Sequence, residues 1–334
     1  MGYNAIKTAQ LSGVPPMQVV MCREYGGPET LAVSEVPVPE PGPGEVRVRL
    51  RARGVSYTDV LRVAGQYHVK TAPPFIPGGE AAGEIAALGP GVEGWKVGDR
   101  VLCGGGFAEE AVQPADSFVA LGDDVSYEAA AAFRSNYMTA YTALQRGRLQ
   151  PGETLLVHGA AGGVGLATVD VGKQLGARVI ATARNAERLE VCKQLGADHV
   201  VDYSSGFRDQ VQALTGGRGA DVIFDPVGGD VFDESMRCVA PYGRILIVGF
   251  TGGRPGLAKT NHLLVKDAEV IGFTIGGLMR HDPERAKRNL DVLVGWLNAG
   301  RIRPHHSHAV PLAQAADALR LILDRKVIGK VVLV

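Results

Sequence analysis

The chain has 334 residues, more than one hydrophobic core usually serves, so two domains are expected. Lys plus Arg and Asp plus Glu are equal at 35 each, and a formal net charge of zero removes the electrostatic footprint of a nucleic-acid binder. No apolar run approaches the roughly 20 residues needed to cross a bilayer, which excludes a helical membrane protein and fits a soluble one with a small-molecule partner.

Residues 1–16, MGYNAIKTAQLSGVPP, have neither the charged start and apolar middle of a signal peptide nor the Arg-rich character of a transit peptide. They read as an extension before a domain that begins near Met17. Cys22, Cys103, Cys192 and Cys238 form no C-x-x-C pair, so they read as small buried hydrophobes in a reduced, cytoplasmic setting. From Val19 to about Val125 short β-rich runs are broken by Gly and Pro. EVRVRLRARGV alternates at period two, and GEIAALG and GDRVLCGGGFAEEAVQ follow. Around Tyr127 the texture changes to SYEAAAAFRSNYMTAYTAL, a helical stretch. After Pro151-Gly152, strands TLLVHGA, RVIATA, DHVVDY, DVIFDPV and RILIVGF alternate with helical segments, the first of them Val164 to Leu175. That rhythm implies a parallel, doubly wound sheet. AEVIGFTI, two helical patterns at Glu284–Ala299 and Leu312–Asp324, and a terminal strand GKVVLV complete the chain.

Strand TLLVH running into GAAGGVG and then a helix is the context a dinucleotide fingerprint requires. Ala161, Gly162, Gly163, Val164 and Gly165 form the candidate loop, with Ala160 where a first glycine is usual. Glycines let backbone approach a pyrophosphate, and the helix N-terminus offers free N–H groups. About 20 residues on, an NAD-specific protein has an acidic residue. Here Ala183 stands in that place, followed by Arg184 and Arg188, which suits a 2′-phosphate.

CREYGGPETLAV, GGEAAGEIAALGPGVEGWKVGDRV, LVHGAAGGVGLATVDVGKQLGARVIAT and GRILIVGF together resemble the medium-chain dehydrogenase/reductase superfamily, in its zinc-free NADPH:quinone oxidoreductase (zeta-crystallin-like) branch. The resemblance runs from about Met17 to the end. It implies an α/β protein with a discontinuous, β-rich GroES-like catalytic domain at 17–127 and 265–334 around a Rossmann NADPH-binding domain at 128–264. It further implies that Arg188 and Tyr203 line the 2′-phosphate, that Thr139, Val248 and Gly249 line the cofactor, and that the segment holding Ser56, Asp59, Arg62 and Tyr67 lines the nicotinamide pocket. Asn is usual where Ser56 stands. Tyr67 reads either as a hydrogen-bond donor to an acceptor oxygen or as an aromatic at the pocket mouth.

In the zinc-dependent branch a Cys and a His hold the ion at the places of Ser56 and Gly79, and a cysteine-bearing lobe is absent here, because Val101 passes through LCGGG to Phe107. No metal is expected, and the histidines of PHHSH read as a solvated strand or loop. The implied activity is hydride transfer to quinones or conjugated carbonyl compounds. An enoyl-thioester or alkenal reductase and a non-catalytic NADPH-binding protein stand as alternatives. AEVIGFTIG, as the edge of the dinucleotide sheet, is expected to pair with a second subunit in a homodimer.

Overall fold

The computed structural model describes residues 15–334. The expected extension lies outside them except for Pro15 and Pro16, and Pro16 opens the first strand. The chain divides into two compact units, one running up to Arg134 and resuming at His305, the other spanning Ser135–Pro304.

In the first unit, β1 (Pro16–Cys22) pairs antiparallel with β2 (Leu31–Pro37). In β3 (Glu45–Val55) Val46, Val48, Leu50 and Ala52 are buried, while Arg47, Arg49 and Arg51 between them reach Glu40, Glu110 and Glu84. Period-two alternation thus becomes one core face and one charged face. Arg53 breaks the pattern. It is buried, donates to the Ala108 and Leu50 carbonyls, and burial pulls its guanidinium down to about 10. Next come α1 (Tyr57–Val63), β4 (Ala81–Leu88), β5 (Arg100–Cys103), β6 (Glu110–Pro114), β7 (Val119–Ala120) and α2 (Tyr127–Ala131).

The second unit opens with α3 (Arg134–Arg146), which begins at the last residue of the first. The single helical stretch expected around Tyr127 is two helices, because the first ends at Ala132. Then follow β8 (Thr154–Val157), α4 (Gly163–Gln174), β9 (Arg178–Ala183), α5 (Ala186–Gln194), β10 (His199–Asp202), α6 (Arg208–Leu214), β11 (Ala220–Asp225), α7 (Gly229–Cys238), β12 (Val239–Ile247), α8 (Thr260–Lys266), β13 (Glu269–Gly272), α9 (Ile275–His281) and α10 (Pro283–Asn298). The six strands form a parallel sheet in the order β10-β9-β8-β11-β12-β13. The chain steps outward from β8 in one direction, then returns to its other side as β11, so the switch point lies between β8 and β11. Every residue of β8 and β11 is buried, as a sheet covered on both faces demands.

Two expected boundaries are corrected. Residues 128–134 belong with the β-rich unit, where α2 packs on β3 and β4, and residues 265–304 belong with the dinucleotide-type unit. The reason for the second is pairing: β13 runs along β12 from Arg244–Glu269 to Ile247–Gly272, and Asn289 of α10 donates to Thr142 of α3 at 3.3 Å.

The chain returns to the first unit with β14 (His306–Val310), α11 (Ala315–Leu323) and β15 (Lys330–Leu333). This sheet has the order β14-β15-β3-β4-β5-β7, with β6 also on β3. Val331 and Leu333 share one buried cluster with Val20, Cys22, Val55 and Phe107, so the first and last strands fill a single core. All four cysteines are free and buried, and burial pushes Cys103, Cys192 and Cys238 up to about 12. Among the described residues no helix is long and apolar enough to cross a membrane.

Candidate functional site

The parallel strands of the second unit end on one side, and the expected cofactor residues lie there. Gly159, with φ of +56°, turns the chain out of β8, and the Ala160 amide donates to the Thr182 carbonyl of β9 at 3.0 Å. Gly162 is the exposed N-cap of α4, and Gly163, Val164 and Gly165 form its first turn. The amides of these last three have no intrahelical acceptor and carry the positive end of the helix dipole, an arrangement suited to an anion, whereas the Gly162 amide donates to the Gly159 carbonyl at 2.9 Å.

The glycines are not equivalent. A Cβ on Gly165 would lie 2.3 Å from the Gly159 oxygen and 2.7 Å from the Ala160 Cα, so this residue lets helix and loop touch. A Cβ on Gly162 would meet only the Gly159 oxygen, at 3.3 Å. That position faces solvent and is open to a ligand. A Cβ on Gly163 would lie 2.7 Å from Nδ2 of Asn136, a buried residue of α3 that therefore lies over the loop backbone. Ala161 is buried beneath the loop.

At the end of β9, Ala183 is buried and carries no charge. Arg184 follows and is exposed, with its guanidinium 5.2 Å from the centre of the Tyr203 ring. The Arg188 backbone amide is held by Asn185, which caps α5. Asp202 is paired with Ala183 across the strands, but its carboxylate is turned onto the hydroxyl and amide of Ser204, and these donors hold it below the usual range. Val248 donates to the Asp225 carbonyl at 2.9 Å, and the Gly252 amide donates to Val227, so the segment after β12, Gly249 included, is strapped to the one after β11. Thr139 spends its hydroxyl on the Ser135 carbonyl one turn back in α3, at 2.7 Å.

Beneath this edge sits His158. Its Nε2 lies 2.9 Å from the Ser235 hydroxyl and its Nδ1 3.0 Å from the Thr182 hydroxyl. Ser235 already donates to the Val231 carbonyl, so it must accept from Nε2–H, leaving Nδ1 to accept from Thr182. The ring is neutral, and burial pulls it down to about 3. Asp225, fully buried at the end of β11, accepts from the Val227 and Gly228 amides through one oxygen, and burial pushes its carboxyl upward.

In the first unit Ser56 is the N-cap of α1, and Asp59 is its reciprocal partner. Asp59 Oδ2 accepts from the Ser56 amide and hydroxyl, each at 2.8 Å, and Oδ1 accepts from the Gly78 amide at 3.2 Å. Burial pushes the Asp59 carboxyl above its ordinary range, against the pull of the Ser56 donors. Asp59 thus ties the start of α1 to the Gly78-Gly79 turn. Nothing lies within 4 Å of a Cβ built on exposed Gly79. Next to it, Glu80 is buried and ion-paired with Lys330 of β15, also buried. Tyr67 is partly buried, with its ring 4.2 Å from that of His68 and under Arg62, and its hydroxyl has no hydrogen-bond partner among the described residues.

Residues 163–292 match the family described as zinc-binding dehydrogenase, and residues 42–123 match the alcohol dehydrogenase GroES-like domain. Quinone oxidoreductase-like protein 2 homolog of Nematostella vectensis is 37% identical, over 96% of this chain and 90% of its own. The chain belongs to the medium-chain dehydrogenase/reductase superfamily of oxidoreductases. Among solved structures, a probable oxidoreductase from Mycobacterium abscessus is 36% identical with a TM-score of 0.87, covering 96% of this medium-chain dehydrogenase/reductase family member and 100% of its own chain. The quinone oxidoreductase of Thermus thermophilus, described also in complex with NADPH, is 32% identical with a TM-score of 0.82, covering 95% and 99%. These likenesses place the chain in the quinone-oxidoreductase branch of the superfamily.

The family's name raises zinc, and the donor set does not fit it. Ser56 and Gly79 offer neither thiolate nor imidazole, both Asp59 oxygens are occupied, and no three His, Cys, Asp or Glu residues among those described could hold an ion. Asn136, His158, Asp225 and Lys330 had no part in the expected site. A histidine ending an apolar strand and an acid ending another were visible signals, whereas Lys330 lies 250 residues from Glu80 with nothing in the sequence to join them.

Proposed function

We propose that the chain is a zinc-independent reductase that uses NADPH to reduce quinones or related conjugated carbonyl compounds. The observation that carries the cofactor choice is the end of β9, where an uncharged Ala183 is followed by Arg184 lying against Tyr203. A carboxylate there would favour ribose hydroxyls and repel a 2′-phosphate, whereas a guanidinium held on an aromatic face keeps its N–H edge for the phosphate. The NADPH complex described for the Thermus relative supports the same choice.

In this reading the Gly162–Gly165 loop receives the pyrophosphate through the amides of Gly163, Val164 and Gly165, and Arg184 and Arg188 receive the 2′-phosphate. When bound, NADPH supplies a hydride. Tyr67, whose hydroxyl is uncommitted, is the donor able to hold an acceptor oxygen as negative charge builds on it, while Ser56, whose amide and hydroxyl both donate to Asp59, shapes the segment beside it. Lacking thiolate and imidazole ligands, the protein suits acceptors that are electrophilic without a Lewis acid. A homodimer closed along the free edge of β13 completes the proposal, and light scattering that reports a single chain at micromolar concentration would remove that part.

The test is kcat/KM for NADPH and NADH with 1,4-benzoquinone as acceptor. One or two charge-assisted hydrogen bonds, at about 1.5–3 kcal/mol each before screening, give NADPH a roughly hundredfold preference. Arg184→Ala with Arg188→Ala should erase most of it. Unchanged selectivity in the double variant would show that the phosphate is held elsewhere.

A further inference from the structure

α1 ends on a cation that the protein does not neutralise. Arg62, in its last turn, is partly buried, and its Nε is shut off from solvent without an acceptor. Among the described residues its guanidinium makes no ion pair and no hydrogen bond. Its one neighbour of note is the Tyr67 ring, whose centre is 5.6 Å from the guanidinium carbon. Asp59, the carboxylate nearest in sequence, is spent on Ser56 and Gly78 at the other end of the helix. From Thr58 onward the sequence offers no other Asp or Glu until Glu80, which is paired with Lys330, while Arg62, His68 and Lys70 all fall in that stretch. Lys70 is turned onto the Gly65 carbonyl.

Withdrawing even one guanidinium N–H, here Nε, from water without an anion or carbonyl to receive it is unfavourable, and proteins normally supply a partner. An aromatic ring satisfies one face of the cation and none of its donors. The planar fork that remains matches a carboxylate, which it can hold through two parallel hydrogen bonds.

We propose that Arg62 is a specificity residue that binds a carboxylate carried on the side chain of the quinone or enone acceptor. The Tyr67 ring keeps the fork in place, and the Tyr67 hydroxyl and the Arg62 fork then address two different oxygens of one molecule, the carbonyl and the carboxylate. The word acceptor rests on the reductase reading, whereas anion binding at Arg62 does not.

Two measurements separate these. The first compares kcat/KM for a benzoquinone bearing a short carboxyalkyl chain with its methyl ester, which has the same electrophilic ring. The native protein should favour the carboxylate at least tenfold, less so at high salt. Arg62→Met should bring the ratio to about one, and Arg62→Lys should restore part of it, a pattern that a packing role for Arg62 would not produce. A ratio near one in the native protein, or an unchanged ratio in Arg62→Met, overturns the proposal. The second is calorimetric titration with salicylate, which needs no turnover. If neither quinone is reduced, the reductase reading fails, and the titration alone decides. Binding weakened at least tenfold in Arg62→Met sustains the anion site, whereas equal binding in both proteins, or none in the native one, overturns it.

Discussion

Placing a methyl group on Gly165 and, separately, on Gly162 distinguishes the glycine that builds the loop from the one that leaves room for a ligand. At Gly165 the new Cβ would sit 2.3 Å from a backbone oxygen and 2.7 and 2.8 Å from two backbone carbons of Ala160, none of which can swing aside. Overpacking of this kind costs about 1–3 kcal/mol, and contacts this short belong at the upper end. Exchanging Gly for Ala inside a helix returns about 1 kcal/mol, so Gly165→Ala should lose about 2 kcal/mol. At Gly162 the φ of −79° suits alanine and the nearest atom is 3.3 Å away, so stability should change by less than about 1 kcal/mol. That methyl group would instead stand where the pyrophosphate must approach. Urea unfolding with constant m-value measures the first effect, and NADPH titration by fluorescence measures the second. Gly165→Ala should be less stable, and Gly162→Ala as stable as the native protein but at least tenfold weaker for NADPH. A Gly165→Ala midpoint equal to the native one, or NADPH binding untouched in Gly162→Ala, would refute this account of the loop.

Tyr67→Phe should lower kcat by ~100-fold while NADPH affinity stays nearly constant, because one donor to a developing oxyanion is lost. Native turnover in that variant would take Tyr67 out of the mechanism. His158 is held neutral when folded, at about 3, and titrates near 6.5 when unfolded. The unfolded chain therefore binds more protons between those values, so the stability His158 confers is present above pH 6.5 and is lost as the pH falls toward 3. His158→Gln should flatten the fall in urea-derived stability over that window by up to about 1.4 kcal/mol per pH unit. A slope identical to that of the native protein would show that the imidazole takes up no proton on unfolding.

The doubly wound sheet was legible because its central strands β8 and β11 are buried along their whole length, so each is a short, largely apolar run between helical patterns. The glycine loop was legible for a related reason: only glycine tolerates the approach of Gly165 to Ala160. The placement of 265–304 was not, since the four residues of β13, EVIG, suit either sheet and only its register beside β12 decides. α1, α8 and α9 have seven residues each, too short for helical periodicity to declare itself and dependent on packing to form. In the site, Ser56 and Asp59 were found as residues, but their reciprocal cap was not. The meeting of Asn136 with Gly163 depends on how α3 lies over the loop, which no local pattern encodes.

Glu80 and Lys330 meet across 250 residues, and this separation has a consequence for synthesis. At roughly 5–20 residues per second, a ribosome delivers Lys330 about 12–50 s after Glu80. Throughout that interval β3 has no β15 to pair with, the cluster around Val20 and Phe107 lacks Val331 and Leu333, and the Glu80 carboxylate has no ammonium to justify its burial. The strand-and-helix unit between them has all its own strands by then. The nascent chain therefore leaves this side of β3 and the apolar cluster beside it uncovered until β15 is made, and that is the stage at which a holdase would find it and at which a truncation just before β14 would leave it permanently.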